Sequence, residues 1–363
     1  MFLLLVLLFP PVSVSAFVTG PCTDCHTMHH SQDGGALTAW GDNGPYAALL
    51  TIDCIGCHSG DNVVGGKVPF VMPETMVPNY GVTGTESSTT TLAGGNFYWV
   101  LANDTRGHNV AGYCNPDATM VPADGALPPG FAGGRAAGDG TVPGGGSWPV
   151  NKQITCAGTY GCHGSHGVAG AAGALSGGHH ALSGPSIPDP ENSSADYRML
   201  VGIAGIEDPA WELKPVASRH NQYHGVDNPG STDTATISYF CSECHGRFHY
   251  NDDAAAPSVS PWLRHPTNFD MSQASGSEYD NYNEVIGVGV YSLVAPVASD
   301  QGVPANRGVI QDRVMEVGSQ SDAIITCLSC HRAHGSPYYK SMRWDYAGSA
   351  TGGDCSVCHT SKK

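Results

Sequence analysis

Charge is scarce in this chain: Asp, Glu, Lys and Arg make up 13% of its 363 residues, about half the usual share of a globular domain. Basic residues are the scarcer sign, 16 against 32 acids, and they form no run anywhere. A nucleic-acid partner is therefore disfavoured. Aromatic residues reach only 8% and hydrophobic ones 40%, too little to expect a large apolar core. Gly 48 and Pro 25 together fill about a fifth of the chain, which breaks helices and strands into short pieces. Past the N-terminus the longest apolar stretch, residues 285–298, falls short of the roughly 18 residues a membrane helix needs. No membrane span is expected.

What the chain does have is an apolar N-terminal run over residues 2–9, then Pro10, Pro11 and the small-residue triplet Val14-Ser15-Ala16. Although a basic leader is missing, this reads as a secretion signal over residues 1–16, cut after Ala16. The mature unit, 17–363, is then exported and soluble.

It also has 13 Cys and 17 His. Ten of the cysteines fall into five copies of one pattern: Cys22-Thr-Asp-Cys25-His26, Cys54-Ile-Gly-Cys57-His58, Cys241-Ser-Glu-Cys244-His245, Cys327-Leu-Ser-Cys330-His331 and Cys355-Ser-Val-Cys358-His359. Zinc sites tolerate any residue after C-x-x-C, whereas haem c attachment needs the neighbouring His. One turn of chain lets two sulfurs reach the two vinyl-derived carbons while the imidazole meets the iron. A sixth site is irregular, Cys156-Ala-Gly-Thr-Tyr-Gly-Cys162-His163, with five residues between the cysteines. Either Cys156 and Cys162 are both attached, the preferred reading, or the haem hangs from Cys162 and Cys156 pairs with the leftover Cys114.

Six haems c take six proximal histidines: His26, His58, His163, His245, His331 and His359. Eleven other histidines remain for the opposite faces. His29, His166, His249 and His334 stand three or four residues beyond a proximal His. From there they reach a neighbouring haem more easily than the far side of their own. His108 and His265, in turn-like contexts, complete the preferred set. His179, His180, His220 and His224 are read as surface or hydrogen-bonded residues. With His in surplus, methionine ligation is not expected. Two His per iron close every coordination position, which leaves outer-sphere electron transfer rather than catalysis at iron. A multihaem reductase, with an open or Lys-ligated haem, has no C-x-x-C-K motif to support it.

The tracts between the motifs are loop-like: 81–95 is rich in Ser, Thr and Gly, and 123–149 and 161–184 in Gly and Ala. Short ordered segments are expected at 96–101, 197–203, 285–297 and 324–327, with a helical turn at each C-x-x-C-H. The fold class is a coil-dominated multihaem cytochrome c, with few short helices and strands wrapped round a chain of haems. One elongated unit is expected, because the haems supply the apolar core the polypeptide lacks.

In order along the chain, Ala16-Phe17, Cys22-Thr-Asp-Cys25-His26-Thr-Met-His29, Gly107-His108-Asn109, Tyr197-Arg198-Met199-Leu200, Leu263-Arg264-His265-Pro266 and Cys327-Leu-Ser-Cys330-His331-Arg-Ala-His334 resemble the extracellular hexahaem cytochromes of the OmcS-like, filament-forming family. The resemblance spans nearly the whole mature chain, with poor agreement in the loops. It implies a head-to-tail homopolymer with bis-His haems, placed outside the cell after transit through the periplasm. Electrons would pass from upstream membrane cytochromes to extracellular acceptors. It also implies that His29 ligates a haem of the adjacent subunit, and its distal set coincides with the six histidines preferred above. The family carries an ordinary C-x-x-C-H where this chain has Cys156 to Cys162. Haem propionates add acid to an already acidic chain, so bound cations or Arg198, Arg264 and Arg332 are expected to offset them. The alternative is a soluble multihaem shuttle that does not polymerise.

Overall fold

Glycine and proline every few residues leave little room for regular structure, and the fold is coil-dominated. The computed structural model describes residues 21–27, 31–32, 35–36, 49–50, 53–78, 91–116, 127–129, 131, 142, 148–149, 152–175, 179, 197–216, 219–227, 233–249, 267–271, 282, 290–299, 323–346 and 353–360. The signal segment 1–16, His29, His30, His180, Arg264 and His265 lie outside the described residues, as does the side chain of His249.

Helices are short: α1 (Cys54–His58), α2 (Tyr98–Ala102), α3 (Ala171–Ala174), α4 (Ile237–His249) and α5 (Cys327–Cys330). Every regular motif sits on a helical turn. Three do so on α1, α4 and α5, and the first and last on 3-10 turns at Cys22–Asp24 and Gly353–Val357. Local caps fix where two of these begin. Asp53 accepts a hydrogen bond from the Gly56 N–H at the head of α1, and the Ser329 hydroxyl accepts one from the Thr326 N–H at the head of α5. In α4 the backbone breaks at His245 (φ −117°, ψ 43°), turning that imidazole off the helix line.

The irregular motif is built differently, on two strands, β3 (Thr155–Ala157) and β4 (Gly161–His163), paired in parallel. A hairpin joins β1 (Ser31–Gln32) to β2 (Gly35–Ala36). The largest sheet has five very short strands in the order β5 (Gly205–Ile206), β6 (Gln222–His224), β8 (Ala298–Ser299), β9 (Ile324–Ile325), β7 (Phe269–Asp270). All its pairs are antiparallel except β6 with β8. Of the expected ordered segments, 96–101 is α2 shifted by about two residues, and 324–327 is β9 running into α5. The apolar run at 285–297 does not become a helix or strand where it is described, at 290–297; after a single bridge residue at 290 it is irregular, with bends at 293–295, until β8 begins.

Among the described residues the core is divided into five small apolar clusters. One joins Tyr197, Leu200, Ile203, Tyr223, Ile237, Ala298 and Ile324 over the five-stranded sheet. A second holds Met271, Tyr282, Tyr291, Val297, Ala323 and Ile325. The rest centre on Phe97 with Val100, on Phe131 with Trp148, and on Val294 with Trp344. Each cluster has a motif cysteine packed against it: Cys162, Cys358, Cys156, Cys244 and, in the last, Cys330 with Cys355.

Candidate metal centres

Four motif histidines share one device. The Nδ1 atom of each lies within hydrogen-bonding distance of a backbone carbonyl: His58 with Pro69 at 2.8 Å, His163 with Arg198 at 3.0 Å, His245 with Pro129 at 2.7 Å and His331 with Lys340 at 2.9 Å. With the proton on Nδ1 donated to that oxygen, Nε2 is the atom left free to ligate, and the ring is held in one orientation. Burial also favours the neutral imidazole that metals bind. It lowers the pKa of His163 and His331, and it pulls His245 down to about 4.

Three of these rings face a second imidazole. His58 and His179 have ring centres 6.2 Å apart, His245 and His108 6.0 Å, and His163 and His334 6.3 Å. Two imidazoles bound to one metal through nitrogens at about 2.0–2.1 Å each would have ring centres roughly 6.3 Å apart. The three gaps therefore have the width of a six-coordinate iron, with the porphyrin supplying the other four ligands. Among the described residues no group of three or more His, Cys, Asp or Glu is arranged to hold a bare metal ion.

A backbone crossing sets two of the three pairs. The chain at 94–96, the chain at 107–108 and the chain at 334–336 run against one another. Gly95 and Gly107 both bridge to Gly335. The His334 N–H donates to the Gly94 carbonyl at 2.7 Å, and the His108 N–H donates to the His334 carbonyl at 3.2 Å. The three glycines make the crossing possible: a Cβ on Gly95 would lie 2.0 Å from the Gly335 oxygen, and one on Gly107 2.3 Å from the His334 oxygen. His108 and His334 thus leave the crossing side by side, toward His245 and His163. His108 is held further by its Nδ1, 2.6 Å from the Ala333 carbonyl.

Two histidines stand where spacing alone did not lead. His179, read from the sequence as a surface or hydrogen-bonded residue, faces His58; it lies in a Gly-rich run with no periodicity to mark it. His166, preferred from spacing, lies with its ring 5.7 Å from Phe240 and its Nδ1 3.5 Å from Glu243, while its buried Nε2 makes no hydrogen bond among the described residues. Burial raises Glu243 to about 7. His220 is fully buried and stacked on Tyr291 at 3.5 Å, and His224 pairs with Asp233 at 3.2 Å. His29, His265 and the His249 side chain belong to the undescribed set. Of the arginines considered for propionates, Arg198 is engaged with Glu207, Asn221 and the Asp208 carbonyl, and Arg332 donates to the carbonyls of Leu92 and Ala93.

No family model matches the chain. Among curated proteins it is similar to C-type cytochrome OmcS of Geobacter sulfurreducens, 26% identical over 374 aligned residues, covering 90% of this chain and 79% of that protein. Among solved structures it is similar to the outer membrane cytochrome S filament of the same organism, with 20% identity, a TM-score of 0.46 and coverage of 93% of this chain and 86% of the other. A second structure, of OmcS nanowires, gives 17%, 0.43, 90% and 84%. At TM-scores under 0.5 the sequence match carries the likeness. The similarity to OmcS runs over about nine tenths of the chain.

Proposed function

We propose that this OmcS-like chain is an extracellular electron-transfer protein that binds six haems c and assembles head to tail into a conducting cytochrome filament. The observation that carries the reading is the coincidence of two independent features. Three of the six histidines that end a C-x-x-C-H or C-H motif, His58, His163 and His245, have rings that face a second imidazole at 6.0–6.3 Å. When bound, haem iron supplies one-electron redox chemistry without an open coordination position.

The chain's own residues do the rest. Backbone carbonyls of Pro69, Arg198, Pro129 and Lys340 orient the proximal rings. Those hydrogen bonds also raise the basicity of the ligating nitrogen, which favours the ferric form and lowers the potential. Two cross-motif pairs tie distant parts of the chain together: His334, three residues past the fifth motif, faces the third, and His108 faces the fourth. Holding both from one glycine crossing brings neighbouring sites close, as a chain of electron carriers requires. The first motif's His29, at the N-terminal end, is assigned to a haem of the adjacent subunit. A metal bond across a heterologous contact that does not close yields an open filament. Upstream membrane cytochromes and extracellular acceptors are its electron partners.

Side-chain-resolution electron microscopy of the secreted protein tests this. Filaments with six haems per subunit and His29 on a neighbour's iron are the expected result, and His29→Ala should abolish them. Discrete particles with every ligand supplied within one chain would make the protein a diffusing shuttle instead.

A further inference from the structure

We infer that Cys156 and Cys162 both bind one haem, so that Cys156-Ala-Gly-Thr-Tyr-Gly-Cys162-His163 is a strand-built C-x5-C-H attachment site in place of the usual helical turn. The inference rests on the haem reading above and adds to it the covalent chemistry of its least regular member.

The register of β3 and β4 supplies the geometry. Thr155 pairs with Gly161 and Ala157 with His163, in parallel, so Cys156 and Cys162 stand opposite each other and point to the same side. Neighbouring strands lie about 4.8 Å apart. Residues one helical turn apart, as in C-x-x-C, have Cβ atoms about 5–6 Å apart. The parallel pair thus presents two thiols at nearly the span that a helical turn does, with His163 next in line. The five intervening residues form a fixed loop. The Gly158 N–H donates to the His163 carbonyl, the Gly161 N–H to Gly158, the Thr159 N–H to Val168, and the Thr159 hydroxyl to the His166 carbonyl.

Two further observations treat the site as equivalent to the regular ones. Like His58 and His245, His163 has a backbone carbonyl at its Nδ1 and a facing imidazole. In addition, the Cys156 side chain is in hydrogen-bonding contact with that of Cys54, as Cys327 is with Cys241. Cys241, Cys327 and Cys54 are each the first cysteine of a regular motif. Cys156 therefore occupies a first cysteine's place against its neighbouring motif, which Thr159, three residues before Cys162, does not. Cys114 is buried in the same cluster as Cys156, where it serves as a small apolar residue.

The bonding step balances without a co-reactant. Each thiol S–H adds across one vinyl group of the haem: sulfur bonds the inner carbon, the hydrogen goes to the outer carbon, the C=C becomes a single bond, and nothing is oxidised or lost.

Tryptic cleavage of the denatured holoprotein, alkylated with and without reductant, separates the outcomes. Residues 153–198 carry Cys156 and Cys162, whereas 107–135 carry Cys114. We expect haem mass on the first peptide with neither cysteine alkylated, and Cys114 alkylated in both conditions. Alkylation of Cys156 without reductant, or of Cys156 and Cys114 only after reduction, would overturn the inference. Haem at the five regular motifs but not on 153–198 would overturn it alone, and haem at none would take the functional reading with it. In Cys156→Ser the haem should stay on Cys162, and its peptide's pyridine haemochrome band should move to longer wavelength. A band that does not move would refute double attachment, and Cys114→Ser should leave peptide mass and band unchanged.

Discussion

Replacing Gly94 with alanine should unseat His334 without touching it. A Cβ at position 94 would lie 3.0 Å from both Cε1 and Nδ1 of the His334 ring. Ordinary carbon contacts begin a few tenths of an ångström further out, so the ring or the backbone has to move. The ring has little freedom: Phe97 stands 4.8 Å away, ring centre to ring centre, and the His334 N–H is bound to the Gly94 carbonyl itself. Overpacking of this kind costs about 1–3 kcal/mol, or roughly 1–4 °C of melting temperature in a chain of this size. Because His334 faces His163 across the width of a bound iron, the same displacement should weaken one axial bond. It should also alter the low-spin ferric signal of one haem in the holoprotein. Gly167→Ala is the control, since its Cβ would meet only the Ser165 hydroxyl at 3.6 Å; it should melt like the parent or slightly above it. If Gly94→Ala matched the control in both melting and electron paramagnetic resonance, the placement of His334 would be wrong.

Two other outcomes follow from the same geometry. His179→Ala should convert the haem held by His58 to a high-spin ferric form, read in the visible spectrum, while His180→Ala should not; equal effects would remove His179 from the axial position. Arg198→Met should cost about 3 kcal/mol in guanidinium denaturation, because it leaves Glu207 half-buried without its guanidinium partner at 3.3 Å. Adding Glu207→Gln should recover much of that loss, and a double variant no more stable than Arg198→Met would argue against the pair.

How much was legible in the chain follows from what each residue depends on. The C-x-x-C-H histidines are local features, since the attachment chemistry needs its residues in one turn, and the helical turns at the regular motifs follow. Facing imidazoles are tertiary features. His334 could be singled out by its spacing from His331 and His108 by its turn-like context, but the glycine crossing of Gly95, Gly107 and Gly335 that places them is not visible in either signal. His179 could not, because nothing around it distinguishes a ligand from a loop residue. For His166 spacing gives reach alone: from His163 it can serve a neighbouring site, and its surroundings, Phe240 and Glu243, arrive from α4. The strand pair under Cys156 and Cys162 was equally invisible. A two-sided contact across a three-residue loop has no periodicity to detect.

The division of the core predicts what the polypeptide does without its cofactor. Each of the five apolar clusters is small, and each ends on a motif cysteine. The clusters are therefore arranged round the places where haem would attach. Every 100 Å² of porphyrin surface buried between them adds roughly 2.5 kcal/mol, and the covalent bonds keep that surface local to the chain. Strands of two or three residues, helices of four or five and even the 13 residues of α4 cannot hold themselves together without such packing. The chain produced without haem attachment should therefore show no cooperative thermal transition and little far-ultraviolet dichroism, and neither zinc nor an oxidant should restore them. A cooperative melt in the haem-free chain would mean that the polypeptide carries its own core. Recovery on adding zinc or an oxidant would return the cysteines to a metal or disulfide scaffold.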